Sequence, residues 1–164
     1  MLRQMKRILF VCLGNICRSP TAAAVLRSEA LRRGVPLDVD SAGTDGWHSG
    51  EAADPRSTIH AARRGFDLSQ HRARAVNGND FERFDLLLAM DRANLGRLQA
   101  TCPEPQRHKV RLALDFATNA SEREVPDPYR EGPQGFERML DLLEDACSGL
   151  LDAVEGGTDG RLWG

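Results

Sequence analysis

Apolar residues first gather at RILFVC, residues 7 to 12, a short run rich in β-formers that predicts a buried strand. After the loop LGNICR the spacing changes. Ala22, Ala23, Val25, Leu26, Ala30 and Leu31 recur at three- and four-residue steps, which predicts a helix opened by Ser19 as N-cap and Pro20 and closed at Gly34. Residues 38 to 42 (DVDSA) predict a second strand, and DPRSTIHAARRG a second helix with Asp54 as N-cap, Pro55 at its first position and Gly65 at its end. A third strand follows at 85 to 90, a helix at DRANLGRLQA and a fourth strand at 109 to 114. From about residue 135 to 155, Phe136, Met139, Leu140, Leu143, Cys147, Leu150, Leu151 and Val154 form one helical stripe.

Strands alternating with helices imply a parallel sheet covered on both faces and joined by right-handed crossovers. The polar stretch 115 to 135, containing VPDPYREGPQG, is long for a loop in a compact domain, and such loops usually carry function. One domain is expected over residues 1 to 156, with 157 to 164 as a short flexible tail in which Trp163 has no evident purpose.

Charge narrows the partners. Among 164 residues, 22 Lys and Arg face 24 Asp and Glu, for a net charge of -2, so no basic excess points to nucleic acid. The start MLRQMKRILFVCLG imitates an export signal, but only Ile8 to Val11 precede Cys12 as a continuous apolar run, and no membrane-length stretch follows. The expectation is a cytoplasmic protein with no membrane partner. Without a signal peptide, Cys12, Cys17, Cys102 and Cys147 do not make a disulfide framework, and they lack the paired CxxC spacing of a zinc site. Cys147 reads as a core residue, and Cys102 has no assigned role.

That leaves two thiols in CLGNICRS. A loop joining a strand to a helix N-terminus binds anions, because its backbone N–H groups lack intrahelical partners and the helix dipole adds positive potential. A thiol at the start of such a loop, with Arg18 nearby, is favoured as thiolate, the nucleophilic form. Arg18 offers a planar fork suited to two phosphate oxygens. Ser19 can donate to the thiolate or cap the helix, though not both at once. Gly14 permits positive φ and Asn15 can tie the loop through its amide. The chain has neither GxxxxGK[ST] nor GxGxxG after the first strand, which removes the common nucleotide loops.

CLGNICRS, Cys12 to Ser19, resembles the CX5R(S/T) signature loop of the low-molecular-weight protein tyrosine phosphatases. DSAGT at 40 to 44, QHRAR at 70 to 74, FDLLLAMDRANL at 84 to 95 and DPY at 127 to 129 also resemble family segments, in family order. The resemblance implies a three-layer α/β/α sandwich with a four-stranded parallel sheet of flavodoxin-like order 2-1-3-4. It implies phosphotyrosine hydrolysis through a cysteinyl-phosphate, with Cys12 as nucleophile, Arg18 as phosphate clamp and Asp127 as general acid and base. Leu13, Gly14, Asn15, Ile16, Cys17 and Ser19 would line the substrate loop, with Tyr129 and Trp47 as walls for the substrate ring. Asn15, Ser41 and His71 would support the loop, and Cys17 would form a reversible protective disulfide with Cys12. No cofactor or metal is implied. The partners would be phosphotyrosine proteins, a bacterial-type tyrosine kinase being one candidate, and the chain would be a monomer or weak dimer. Arg130 stands where many members carry a second tyrosine. Arginine phosphatases share the fold but typically have threonine at the position of Ile16 and DPF as the acid motif. Arsenate reductases need further cysteines, absent from 76 to 101. A silent phosphotyrosine-binding module would be expected to lose Cys12, Arg18 or Asp127.

Overall fold

Strand β1 (Lys6–Cys12) sends alternate side chains to opposite faces: Ile8, Phe10 and Cys12 join one hydrophobic cluster, and Leu9 and Val11 the other. The computed structural model describes residues 5 to 156 and 160 to 163. Strands β2 (Leu37–Gly43), β3 (Leu86–Ala89) and β4 (Val110–Leu112) complete a four-stranded sheet of order β2-β1-β3-β4, every neighbouring pair parallel. This is the expected fold. β3 repeats the alternation, with Leu86 and Leu88 in the first cluster and Leu87 and Ala89 in the second. Apolar side chains on both faces explain why these strands read as continuous apolar runs.

Helices α1 (Arg18–Arg33) and α5 (Pro133–Glu155) supply the first cluster, and α3 (Asp80–Arg83) and α4 (Arg92–Thr101) contribute Phe81 and Leu98 to the second. Between β2 and β3 lies α2 (Pro55–Arg63), capped as expected by Asp54, whose Oδ1 accepts from the amides of Arg56 and Ser57. Gly34 caps α1 in the left-handed region, φ 70°.

Several boundaries differ from the sequence reading. α1 begins at Arg18 with Cys17 at its N-cap and no capping side chain, so Ser19 falls inside the first turn, its hydroxyl beside Cys12 Sγ. β4 stops at Leu112, where the chain tightens into a 3-10 turn, Ala113–Phe116. α5 starts at Pro133, a residue preshaped for a first helical turn. The polar loop before α5 is anchored: Asp145 on that helix accepts from the amides of Thr118, Asn119 and Ala120. At the C-terminus, Leu162 and Trp163 of the 3-10 turn Gly160–Trp163 pack against the first cluster, with the Lys6 ammonium 4.8 Å from the indole centroid. Residues 157 to 159 and 164 of the expected tail lie outside the described residues.

β1 has β2 on one side and β3 on the other, so the chain order reverses at its carboxyl end. Cys12 is the last residue of that strand. A crevice at such a reversal is where open parallel sheets bind ligands.

Candidate active site

The loop after β1 turns its carbonyls outward because donors from later segments take them. Thr44 N–H donates to Cys12 O at 2.9 Å, Asp45 N–H to Leu13 O at 2.9 Å and Asp54 N–H to Ile16 O at 2.7 Å. His71 Nε2 donates to Asn15 O at 2.6 Å; a carbonyl can only accept, which fixes the proton on that nitrogen. Burial holds the His71 pKa below its ordinary value, with the bond to Asn15 opposing that shift. On the inner side, the Asn15 amide points at Cys12 Sγ, 3.3 Å away. The uncapped first turn of α1 leaves further N–H groups open to an anion.

Positive φ falls on Asn15, at 57°, and not on Gly14 as expected. Asparagine tolerates the left-handed region better than most residues. Its side chain spans the loop: Nδ2 donates to Ser19 Oγ (2.8 Å) and Ser41 Oγ (2.9 Å), and Oδ1 accepts from Arg74 N–H (2.9 Å). Gly14 is needed for closeness, since a Cβ there would meet the His48 ring at 2.9 Å.

Cys12 Sγ lies 3.0 Å from Ser19 Oγ. Arg18 is 5% exposed, and its Nη1 donates to Asp91 Oδ2 at 2.7 Å and Val125 O at 2.9 Å. Burial opposes its charge, but Asp91 and the neighbouring Cys12 and Asp127 more than offset that and raise its pKa. No described residue takes up Nε or Nη2. Cys12, Leu13, Gly14, Ile16, Cys17 and Arg18 line a cavity of about 190 Å³ together with His48, Asp54, Asp127 and Tyr129. Asp127, on the far side of the chain's sequence, is thus brought to the nucleophile loop. Its Oδ1 accepts from Tyr129 N–H at 3.1 Å, capping the 3-10 turn Pro128–Arg130.

Three residues expected at the substrate stand elsewhere. Asn15 and Ser19 are fully buried behind the loop, where they support it and do not line the cavity. Trp47 is 84% exposed and absent from the lining; Asp45 Oδ1 accepts its N–H at 2.9 Å in a turn that leaves the indole in solvent. His48, bonded through Nδ1 to Glu51, occupies the wall instead. Ser41, 3% exposed, and His71 both contact Asn15.

Cys17 shares the cavity. Its thiol accepts from Ser57 Oγ at 2.9 Å and sits 3.8 Å from Met139 Sδ. Burial pushes its pKa up to about 12, although Ser57 acts in the opposite direction. His48, Asp54, Ser57 and Asp91 are site residues that sequence reasoning missed. Asp54 and Asp91 were visible only as acids at helix starts, and their second tasks come from chain segments far from the loop. A larger hollow beside Asn119 and Asp145 is lined by carboxylates and Ser121 but by no cysteine.

Residues 7 to 158 match the sequence profile of the family described as low molecular weight phosphotyrosine protein phosphatase. A low molecular weight protein-tyrosine-phosphatase of Streptomyces coelicolor is 44% identical over 160 residues, covering 94% of this chain and 97% of that one. Among solved structures, a protein tyrosine phosphatase from Entamoeba histolytica with Hepes in its active site superposes with a TM-score of 0.91 at 41% identity, covering 94% of this chain and 99% of that one. YfkJ from Bacillus subtilis superposes with a TM-score of 0.89 at 33% identity, covering 96% and 99%.

Proposed function

The chain belongs to the low molecular weight phosphotyrosine protein phosphatase family, and from that premise we propose which of its residues perform cysteine-based phosphate hydrolysis. Cys12 thiolate attacks phosphorus, the bond from phosphorus to the tyrosine oxygen breaks, and a cysteinyl-phosphate forms. The free Nε and Nη2 of Arg18 and the inward amides of the loop hold the phosphoryl oxygens, where negative charge spreads in the transition state. Asp127 gives its proton to the departing phenolate oxygen. In the second step it takes a proton from water as that water attacks phosphorus, releasing phosphate and returning the thiolate, whose charge the Ser19 hydroxyl stabilises. The observation that carries this reading is one cavity lined by Cys12, Arg18 and Asp127.

A phenolate, pKa about 10, leaves more readily than a serine alkoxide, which favours phosphotyrosine over phosphoserine. Tyr129, exposed at the cavity, is the wall for the substrate ring. Phosphotyrosine proteins are the substrate class, and a bacterial-type tyrosine kinase is included because its phosphorylated tyrosines present the same aryl phosphate. Cytoplasmic action is part of the same proposal; among the described residues no helix is long and apolar enough to cross a membrane.

Turnover of phosphotyrosine, phosphoarginine and phosphoserine peptides, assayed side by side, tests the assignment. Phosphotyrosine should be preferred, Cys12→Ser should be inactive, and Asp127→Asn should lose about 10²- to 10⁴-fold. An active Cys12→Ser sinks the mechanism, and a preference for phosphoarginine transfers the chain to the arginine phosphatases.

Cys17 is the resolving partner of Cys12. Peroxide oxidises the Cys12 thiolate to a sulfenic acid, the Cys17 thiol condenses with it, water leaves, and an external dithiol restores both. Both sulfurs line the same cavity, which supports the reading. After a peroxide pulse, wild type should regain activity with dithiol while Cys17→Ser recovers far less; equal recovery rejects the role.

A further inference from the structure

Helix α2 meets the chemistry above only through the Ser57 bond to Cys17, yet its second residue reaches the turn that carries the acid. Arg56 Nη1 donates to Tyr129 O at 3.0 Å, and its guanidinium carbon lies 5.1 Å from the Tyr129 ring centroid and 4.9 Å from that of Phe136. Nη2 is 3.4 Å from Asp54 Oδ2, and the Asp54 amide in turn donates to Ile16 O in the nucleophile loop. One planar group therefore touches the substrate wall, the start of α5 and the cap residue bonded to the Ile16 carbonyl.

We propose that Arg56 is a positioning residue for the general acid: it clamps the turn Pro128–Arg130 by ring and carbonyl, and so fixes Asp127 over the leaving oxygen. The proposal rests on the reading of Asp127 as the acid. Asp127 has one oxygen committed to Tyr129 N–H, so the placement of its carboxyl follows that of Tyr129. Tyr129 is 63% exposed and gains little fixity from packing. Arg56 supplies a directional bond together with stacking, which only a planar guanidinium combines. Small displacements of a proton donor are costly to a reaction that needs a near-linear transfer.

A leaving-group series separates positioning from plain structural support. Phenyl phosphate releases a phenolate of pKa about 10 and depends on the acid, whereas nitrophenyl phosphate releases a far weaker base and depends on it much less. In the full chain, Arg56→Gln should lower kcat/KM for phenyl phosphate about tenfold or more and for nitrophenyl phosphate by less than about threefold. The ratio between the two substrates does not depend on how much of the variant is folded. Arg56→Lys keeps the charge without the planar fork and should retain most of the selective loss. Equal losses on both substrates, no loss on either, or full recovery in Arg56→Lys each overturn the proposal. Asp127→Asn runs alongside: if it shows no leaving-group selectivity, the acid assignment itself is what fails, and the role of Arg56 falls with it.

Discussion

Ser19 has one hydroxyl hydrogen and three polar neighbours, and counting donors settles where it goes. Asn15 Nδ2 already donates into the oxygen, and Ala42 O is distant at 3.4 Å, so the hydrogen serves Cys12 Sγ at 3.0 Å. The alternative of capping α1 was open in the sequence because capping and thiolate support use the same side chain; in the structure Cys17 holds the cap position and Ser19 lies inside the first turn. His71 carries a pH signature of the same loop. Its folded pKa lies below the ordinary 6.5 because of burial, so the unfolded chain binds the proton more readily. The stability it contributes is complete above about pH 6.5 and is lost as pH falls from there through the folded value. Urea midpoints measured between pH 7.5 and 5.5 should fall less steeply in His71→Gln than in wild type; parallel slopes reject the assignment.

Helices set different tolerances for the same substitution. On α5, a Cβ added at Gly149 would lie 1.8 Å from the Phe116 carbonyl oxygen, a backbone atom that cannot swing aside. On α4, a Cβ at Gly96 would meet nothing within 4 Å. Alanine improves helix propensity by up to about 1 kcal/mol at either position, but overpacking costs roughly 1–3 kcal/mol. Thermal melts should show Gly149→Ala destabilised despite the better propensity and Gly96→Ala unchanged or more stable. The strands and long helices were legible because their apolar periods are imposed by burial on one or both sides. Their ends were less so: β4 yields to a 3-10 turn where Phe116 meets α5, and α3 is too short to show a period.

Across the whole molecule, the candidate site was legible where it is contiguous. Cys12, Arg18 and the loop between them occupy seven residues of sequence and announce their chemistry by spacing and by their place between a strand and a helix. Asp127 became visible through the family pattern around DPY. His48, Asp54 and Asp91 did not, because each reaches the cavity or the clamp only after the crossovers fold back on the sheet. Trp47 shows the reverse: an aromatic residue near the right place in sequence whose local turn leaves it in solvent. Asn15 gathers Ser19, Ser41, His71 and Arg74, partners separated from it by 4, 26, 56 and 59 residues. Closing chain segments of that length is an entropic cost met only when the sheet assembles. A nascent or half-unfolded chain lacking any of those segments therefore carries Cys12 without an assembled loop around it, so the fold withholds the phosphate cradle until it can also supply the walls that decide what enters.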